Sequence, residues 1–102
     1  MPSPQELLKE ASQYAKTLSD IRRDLHQIPE FALDLPNTQT RILESIEGLG
    51  EITLGKGLSS IVLHIKGGKA GPTVLLRADM DALKVEEESG EDFSSTNGYM
   101  HA

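Results

Sequence analysis

The densest chemistry in this 102-residue chain is the run Arg77-Ala78-Asp79-Met80-Asp81, which sets two carboxylates two residues apart just after a guanidinium. In an extended backbone, residues i and i+2 share a face, so Asp79 and Asp81 would lie side by side. Paired carboxylates can bind a divalent cation, hold a cation-bound water, or orient a histidine ligand. The same residues also read as a surface ion pair between Arg77 and the acids. The imidazoles are His26, His64 and His101. None sits in a His-x-x-x-His spacing and the chain has no Cys, so it carries no complete metal site built from its own residues. His26 follows Arg22, Arg23 and Asp24, which suggests a structural hydrogen-bonding role. His64 should alternate outward into solvent, and His101, next to the last residue, has no supporting context. Neither Gly-rich turn has the spacing of a phosphate-cradling loop, and there is no Gly-x-Ser-x-Gly.

The elements that must position these groups follow from periodicity. Ser3, Pro4 and Glu6 form the start signal of a helix. Leu7, Ala11, Tyr14, Leu18, Ile21 and Leu25 then recur in steps of four and three, which predicts one long amphipathic helix ending at Ile28, before Pro29. Asn37 or Thr38 can cap a second helix with Ile42, Leu43, Ile46 and Leu49 inward, stopped by Gly48 and Gly50. A short strand is expected at 51–54, the turn Gly55-Lys56-Gly57 next, and a second strand over 60–66 in which Ile61, Leu63 and Ile65 share a face. After the turn-rich 67–72, the unbroken apolar run 73–76 has the pattern of a central strand covered on both faces. Its C-terminal end is where an α/β sheet gathers site residues, which places Asp79 and Asp81 well. The fold class expected is therefore α/β, two helices followed by three strands of a mixed sheet. Residues 86–102 read as a loop, with Glu86, Glu87 and Glu88 solvated.

Composition narrows the function classes. The net charge is −6, from 16 acids and 10 bases, which disfavours nucleic acid or an anionic membrane as partner. The window 79–92 holds seven acids against Lys84 alone, so it carries the whole excess. Hydrophobic residues make up 37% and aromatics 4%, with no Trp, a lean supply for a self-sufficient core. No apolar run approaches the roughly 20 residues of a membrane span, and the opening residues lack the layout of a secretory signal. A cytoplasmic protein is the expectation.

Three segments, in order, resemble one family: Ile21-Arg22-Arg23-Asp24-Leu25-His26-Gln27-Ile28-Pro29-Glu30, then Gly71-Pro72-Thr73-Val74-Leu75-Leu76-Arg77-Ala78-Asp79-Met80-Asp81-Ala82-Leu83, and Gly98-Tyr99-Met100-His101-Ala102. They are similar to the beginning of the metal-dependent amidohydrolase and aminoacylase family of zinc peptidases, which includes hippurate hydrolase, N-acyl-amino-acid hydrolases, indole-acetyl-amino-acid hydrolases and N-acetyldiaminopimelate deacetylase. Family chains are several times longer, with a zinc-exopeptidase-like catalytic domain interrupted by a dimerisation domain. The resemblance implies that residues 1–102 are the N-terminal portion of that catalytic domain, without the dimerisation domain.

By the same resemblance, the reaction is hydrolysis of the amide bond of an N-acyl amino acid. It would be assisted by two divalent ions (Zn, Mn, Co or Ni), with a downstream Glu as general base, in a homodimer or higher oligomer. Asp79 occupies a position the family treats as catalytic, with Asp81 as its companion, and His26 is scaffolding. The family's Met-His-Ala continues into Cys-Gly-His-Asp, whose Cys and His are ligands, so this chain supplies none and is expected to be inactive alone. Lys84 stands where the family has Pro, and 31–40 matches loosely. The competing expectation is a truncated, non-catalytic product whose exposed sheet edges give it at most an interaction role.

Overall fold

Ser3 starts the first helix in the way its neighbours predict. In the computed structural model, which describes residues 1–102, the Ser3 hydroxyl accepts from Glu6 N–H at 3.2 Å and Glu6 Oε2 accepts from Ser3 N–H at 2.7 Å. This capping box opens α1 (Pro4–Ser12). The single long helix expected to reach Ile28 is instead two. The Ser12 hydroxyl donates back to Leu8 O at 2.8 Å, a contact that bends helices. Gln13 and Tyr14 then bond three residues back instead of four, and α2 (Ala15–Gln27) follows. The apolar stripe survives the break but meets little: no residue of α1 or α2 is buried, and Leu7, Tyr14 and Leu18 are exposed.

α3 (Pro36–Ile46) starts without a side-chain cap from its own N-cap residue, Leu35. Asn37 and Thr38 lie inside the first turn and do not cap it. The cap comes from Glu30, whose Oε1 accepts from Thr38 N–H at 2.6 Å and whose Oε2 accepts from Asn37 N–H at 3.2 Å. A carboxylate there also complements the positive helix N-terminus. α3 packs beside α2 through Arg41, which donates to Asp24 Oδ2 from Nε at 3.0 Å and from Nη2 at 2.8 Å. Gly48, at φ +77°, turns the chain after the helix, in a conformation few side chains tolerate.

β1 (Glu51–Leu54) and β2 (Ile61–His64) form an antiparallel hairpin with Ile52 opposite Leu63 and Leu54 opposite Ile61. That register collects the four apolar side chains on one face, as alternation requires. A Cβ at Gly55 would sit 2.8 Å from Leu58 O and collide with the Ser60 hydroxyl, so the turn needs glycine there. The hairpin is tied to the α2–α3 loop: Leu35 N–H donates to Ser59 Oγ at 2.8 Å, and Ser59 N–H to Leu33 O at 2.9 Å.

The sheet has two strands, both antiparallel, and not the three strands of a mixed sheet. The run 73–76 makes no backbone–backbone hydrogen bond, and Val74, Leu75 and Leu76 are 81%, 85% and 91% exposed. An apolar run becomes a central strand only where strands flank it and layers cover both faces. Here one four-residue hairpin and three thin helices offer neither.

Only four residues are buried: Pro29, Leu35, Thr38 and Ala82. They mark the node where the loop after α2, the start of α3 and the segment at 82–83 meet. Ala82 N–H donates to Glu30 O at 2.7 Å, Phe31 and Ala82 form a parallel bridge, and Leu83 forms an antiparallel bridge with Met100. The accessible surface is 8477 Å², half as much again as the roughly 5,600 Å² of a folded monomer of this mass. The radius of gyration, 16.2 Å, also exceeds the roughly 13 Å of a packed domain this long. No helix is long and apolar enough to cross a membrane.

Candidate functional site

Arg77 and Asp79 do pair. Arg77 Nη2 donates to Asp79 Oδ1 at 2.7 Å, and the two side chains are 80% and 68% exposed. A pair this wet contributes little to stability, and it leaves Asp79 Oδ2 free to accept. Asp81 is also exposed and makes no ion pair. The two acids therefore stay together on one extended segment, though not at the end of a strand.

Asp79 lines a cavity of about 280 Å³ between α2, α3 and the C-terminal segment. Its apolar wall is Leu18, Ile21, Leu25 and Ile42, and its polar lining includes Thr38 and His101. Thr38 is 1% exposed, and its Oγ1 has no hydrogen-bond partner; His101 Nε2 is likewise buried and unpartnered. Burial holds the His101 imidazole below its ordinary pKa, and nearby His26 pushes the same way, while Asp81 opposes both. His101 thus stands among the groups near Asp79 and Asp81, which its isolation in the sequence hides. Only its place in the Gly98–Ala102 motif marks it.

His26 bonds as its surroundings suggest. Its Nε2 lies 2.8 Å from Glu87 Oε1, and its ring meets Phe93 edge-on at 5.9 Å. The Arg23 guanidinium lies over the same Phe93 ring, 4.6 Å from its centre. Glu87 is a correction: the side chain expected in solvent is 4% exposed. The Ser89 hydroxyl and then the Ser95 N–H hold its carboxyl below the ordinary range, with His26 adding to them against the cost of burial. Glu86 and Glu88 on either side remain exposed. His64 is exposed, as alternation predicts. No three His, Asp or Glu side chains converge where a metal ion could be held. Asp79, Asp81 and His101 do not make a cage, and the donor set of these residues does not fit a complete metal site.

The class of protein comes from the sequence relatives, which are hydrolases by name. Over 85 residues the chain is 46% identical to thermostable carboxypeptidase 1 of Saccharolobus solfataricus, a match covering 80% of this chain and 22% of that enzyme. It is 40% identical over 101 residues to thermostable carboxypeptidase 2 of the same organism, covering 96% of this chain and 26% of the enzyme. With N-acetyldiaminopimelate deacetylase of Bacillus cytotoxicus it shares 44% over 85 residues, 80% of this chain and 23% of the deacetylase. No family model matches the chain, and no solved structure matches it. The chain belongs to the amidohydrolase and peptidase family of these carboxypeptidases and deacetylases. It spans about a quarter of the length of the curated relatives it matches.

Proposed function

We propose that these residues are the N-terminal part of the catalytic domain of a metal-dependent hydrolase that cleaves the amide bond of N-acyl amino acids in the cytoplasm, as a homodimer or higher oligomer. Asp79 is the catalytic carboxylate and Asp81 its companion. The observation that carries this reading is Asp79 itself, held at Oδ1 by Arg77 and facing the cavity that His101 and Thr38 line. Support for amide hydrolysis as the reaction comes from the relatives' names, a carboxypeptidase and a deacetylase, both of which break a C–N acyl bond.

The donor set present does not complete a metal site, so these residues alone would not hold the divalent ions that the family resemblance implies. What this chain's own residues do is narrower. Arg77 pairs with Asp79 at Oδ1, and Oδ2 offers an acceptor to a water or an imidazole. Alone, the 102 residues are inactive.

The test is a chimera in which this chain's matching residues replace those of the Saccharolobus carboxypeptidase 1. The chimera is expected to hydrolyse N-acetyl or N-benzoyl amino acids with Zn²⁺ or Mn²⁺. Asp79→Ala should cost about a hundredfold or more in kcat with the fold intact. Wild-type rates for Asp79→Ala in an active chimera would reduce Asp79 to a surface charge, and turnover by the isolated chain would overturn the ligand assignment.

A further inference from the structure

Asparagine occurs twice, at Asn37 and Asn97, and only Asn97 is followed by glycine. That pair carries a reaction of its own. The Gly98 backbone nitrogen can attack the side-chain carbonyl carbon of Asn97, and glycine leaves the approach open because it has no Cβ and few restrictions on φ and ψ. Gly98 N–H makes no hydrogen bond, whereas the Asn97, Tyr99 and Met100 amides all do. The nucleophile is free. The electrophile is not: Asn97 Oδ1 accepts from Tyr99 N–H at 3.0 Å, closing an Asx turn, and Nδ2 donates to Pro29 O at 2.9 Å. Attack needs Cγ to turn over Gly98 N and Nδ2 to depart, so both bonds must be given up.

We propose that Asn97 and Gly98 form a self-modification site, in which Gly98 N displaces ammonia from Asn97 at a rate set by local opening of the 95–99 turn. The Gly98 N–Cγ bond forms as the Cγ–Nδ2 bond breaks, and the proton from Gly98 N leaves with the amide as ammonia. The product is a cyclic imide. Water then adds to one of its two carbonyls. Cleavage of the new N–Cγ bond leaves aspartate, while cleavage of the original peptide C–N bond leaves isoaspartate, with the main chain routed through Cβ and Cγ. Nothing is oxidised or reduced, and water is the only co-reactant.

Either product undoes a fastening. Both lose the Nδ2 donor, so Pro29 O is left with no partner or with a carboxylate, which has no proton to give. Isoaspartate also lengthens the main chain inside a turn whose span is set by the Ser95 hydroxyl donating to Tyr99 O at 2.6 Å. The bonds beside it, from Thr96 N–H and the Thr96 hydroxyl to Gln27 O at 3.3 and 2.8 Å, lose their neighbour. The segment that holds His101 at the Asp79 cavity is thereby released from the end of α2, and irreversibly, because the ammonia is gone. A negative charge is added to a chain already at −6. This inference stands whether or not Asp79 is catalytic.

The experiment incubates the chain at neutral pH, folded in buffer and unfolded in urea, and follows both asparagines by peptide mass spectrometry. Asn97 should convert in both, about tenfold more slowly when folded, while Asn37, followed by the β-branched Thr38, stays intact. Thr96→Val removes a bond that closes the turn and touches neither reacting group. It should speed conversion of the folded chain about fivefold and leave the rate in urea unchanged. A Cβ at Gly98 meets nothing within 4 Å, so Gly98→Ala keeps the fold and should slow conversion about tenfold in both states. The converted chain, separated by its added charge, should exchange the Thr96 amide faster than the unconverted one. Three results would each overturn the proposal: Asn97 intact in the folded chain once the unfolded chain has converted, equal folded rates for Thr96→Val and wild type, or unchanged exchange at Thr96 after conversion.

Discussion

His26 Nε2 and Glu87 Oε1 lie 2.8 Å apart, joining residues separated by 61 positions and fastening the acidic loop to the end of α2. The fastening has several strands. Glu87 also accepts from the Ser95 N–H at 2.7 Å and from the Ser89 hydroxyl. Thr96 and Asn97 donate to the carbonyls of Gln27 and Pro29, at 2.8 and 2.9 Å. The Gln27 carbonyl ends α2 and would otherwise lack a partner, and that of Pro29 follows just beyond the helix. Phe31 stacks on Tyr99 at 5.9 Å and carries Lys84 on its ring. Segment 84–101, with little regular structure, is thereby held where His101 reaches the Asp79 cavity.

Glu87 makes that anchorage sensitive to acid. Its carboxyl titrates below the ordinary 4.5, so the unfolded chain takes up the proton first as the pH falls. The stabilisation is then complete above about pH 4.5 and fades below it. Thermal unfolding by circular dichroism should show Glu87→Gln less stable than the wild type at pH 7, with the gap closing below pH 4.5. A gap that does not change with pH would mean that the ionised carboxylate is not what the serines and His26 hold.

Glu30 should matter to α3 as much as any residue within it. It is the sole side chain capping that helix, through Asn37 and Thr38. Glu30→Ala should cost about 1 kcal/mol, the usual loss on removing an N-cap, and should speed amide exchange at Asn37 and Thr38 while leaving α1 untouched. Unchanged exchange at those two amides would show that the cap is idle.

The boundary between what the sequence discloses and what it hides runs along the range of the interactions. Ser3 and Glu6, three apart, announce their capping box, and Gly55 with the alternation of Ile61 and Leu63 announces the hairpin. The Arg77–Asp79 pair is local and was readable as a possibility. Glu30 capping α3 and Glu87 meeting His26 are not, because a loop acid's spacing carries no mark of a distant partner. Glu87 sits between two exposed glutamates and looks identical to them in one dimension. The run 73–76 misleads for a related reason: its composition reports what it would bury, while strand formation depends on neighbours that the composition does not supply.

Ala32 stores strain in the loop between α2 and α3. It is the only residue other than glycine with a positive φ, 64°, in the loop between the buried Pro29 and Leu35. A Cβ in that left-handed region costs roughly 1–2 kcal/mol, whereas glycine there loses more freedom on folding, by roughly 0.5–1 kcal/mol. Ala32→Gly should therefore be neutral to stabilising by about 1 kcal/mol in urea unfolding, and Ala32→Val clearly destabilising. Equal stability for all three would mean that the loop relaxes out of this conformation.

Thr38 offers the sharpest test of the cavity beside Asp79. Its hydroxyl is 1% exposed without a partner, and a buried group left so costs about 1–3 kcal/mol. Valine keeps the shape and removes the hydroxyl, so Thr38→Val should raise stability by about 1 kcal/mol. Thr38→Ser keeps the hydroxyl and loses a methyl, and should lower stability by about as much. The pair of variants separates packing from polarity. If Thr38→Val instead destabilises while Thr38→Ser is tolerated, the hydroxyl makes a bond in solution, and His101 Nε2, the other unpartnered atom lining the same cavity, is the group to substitute next.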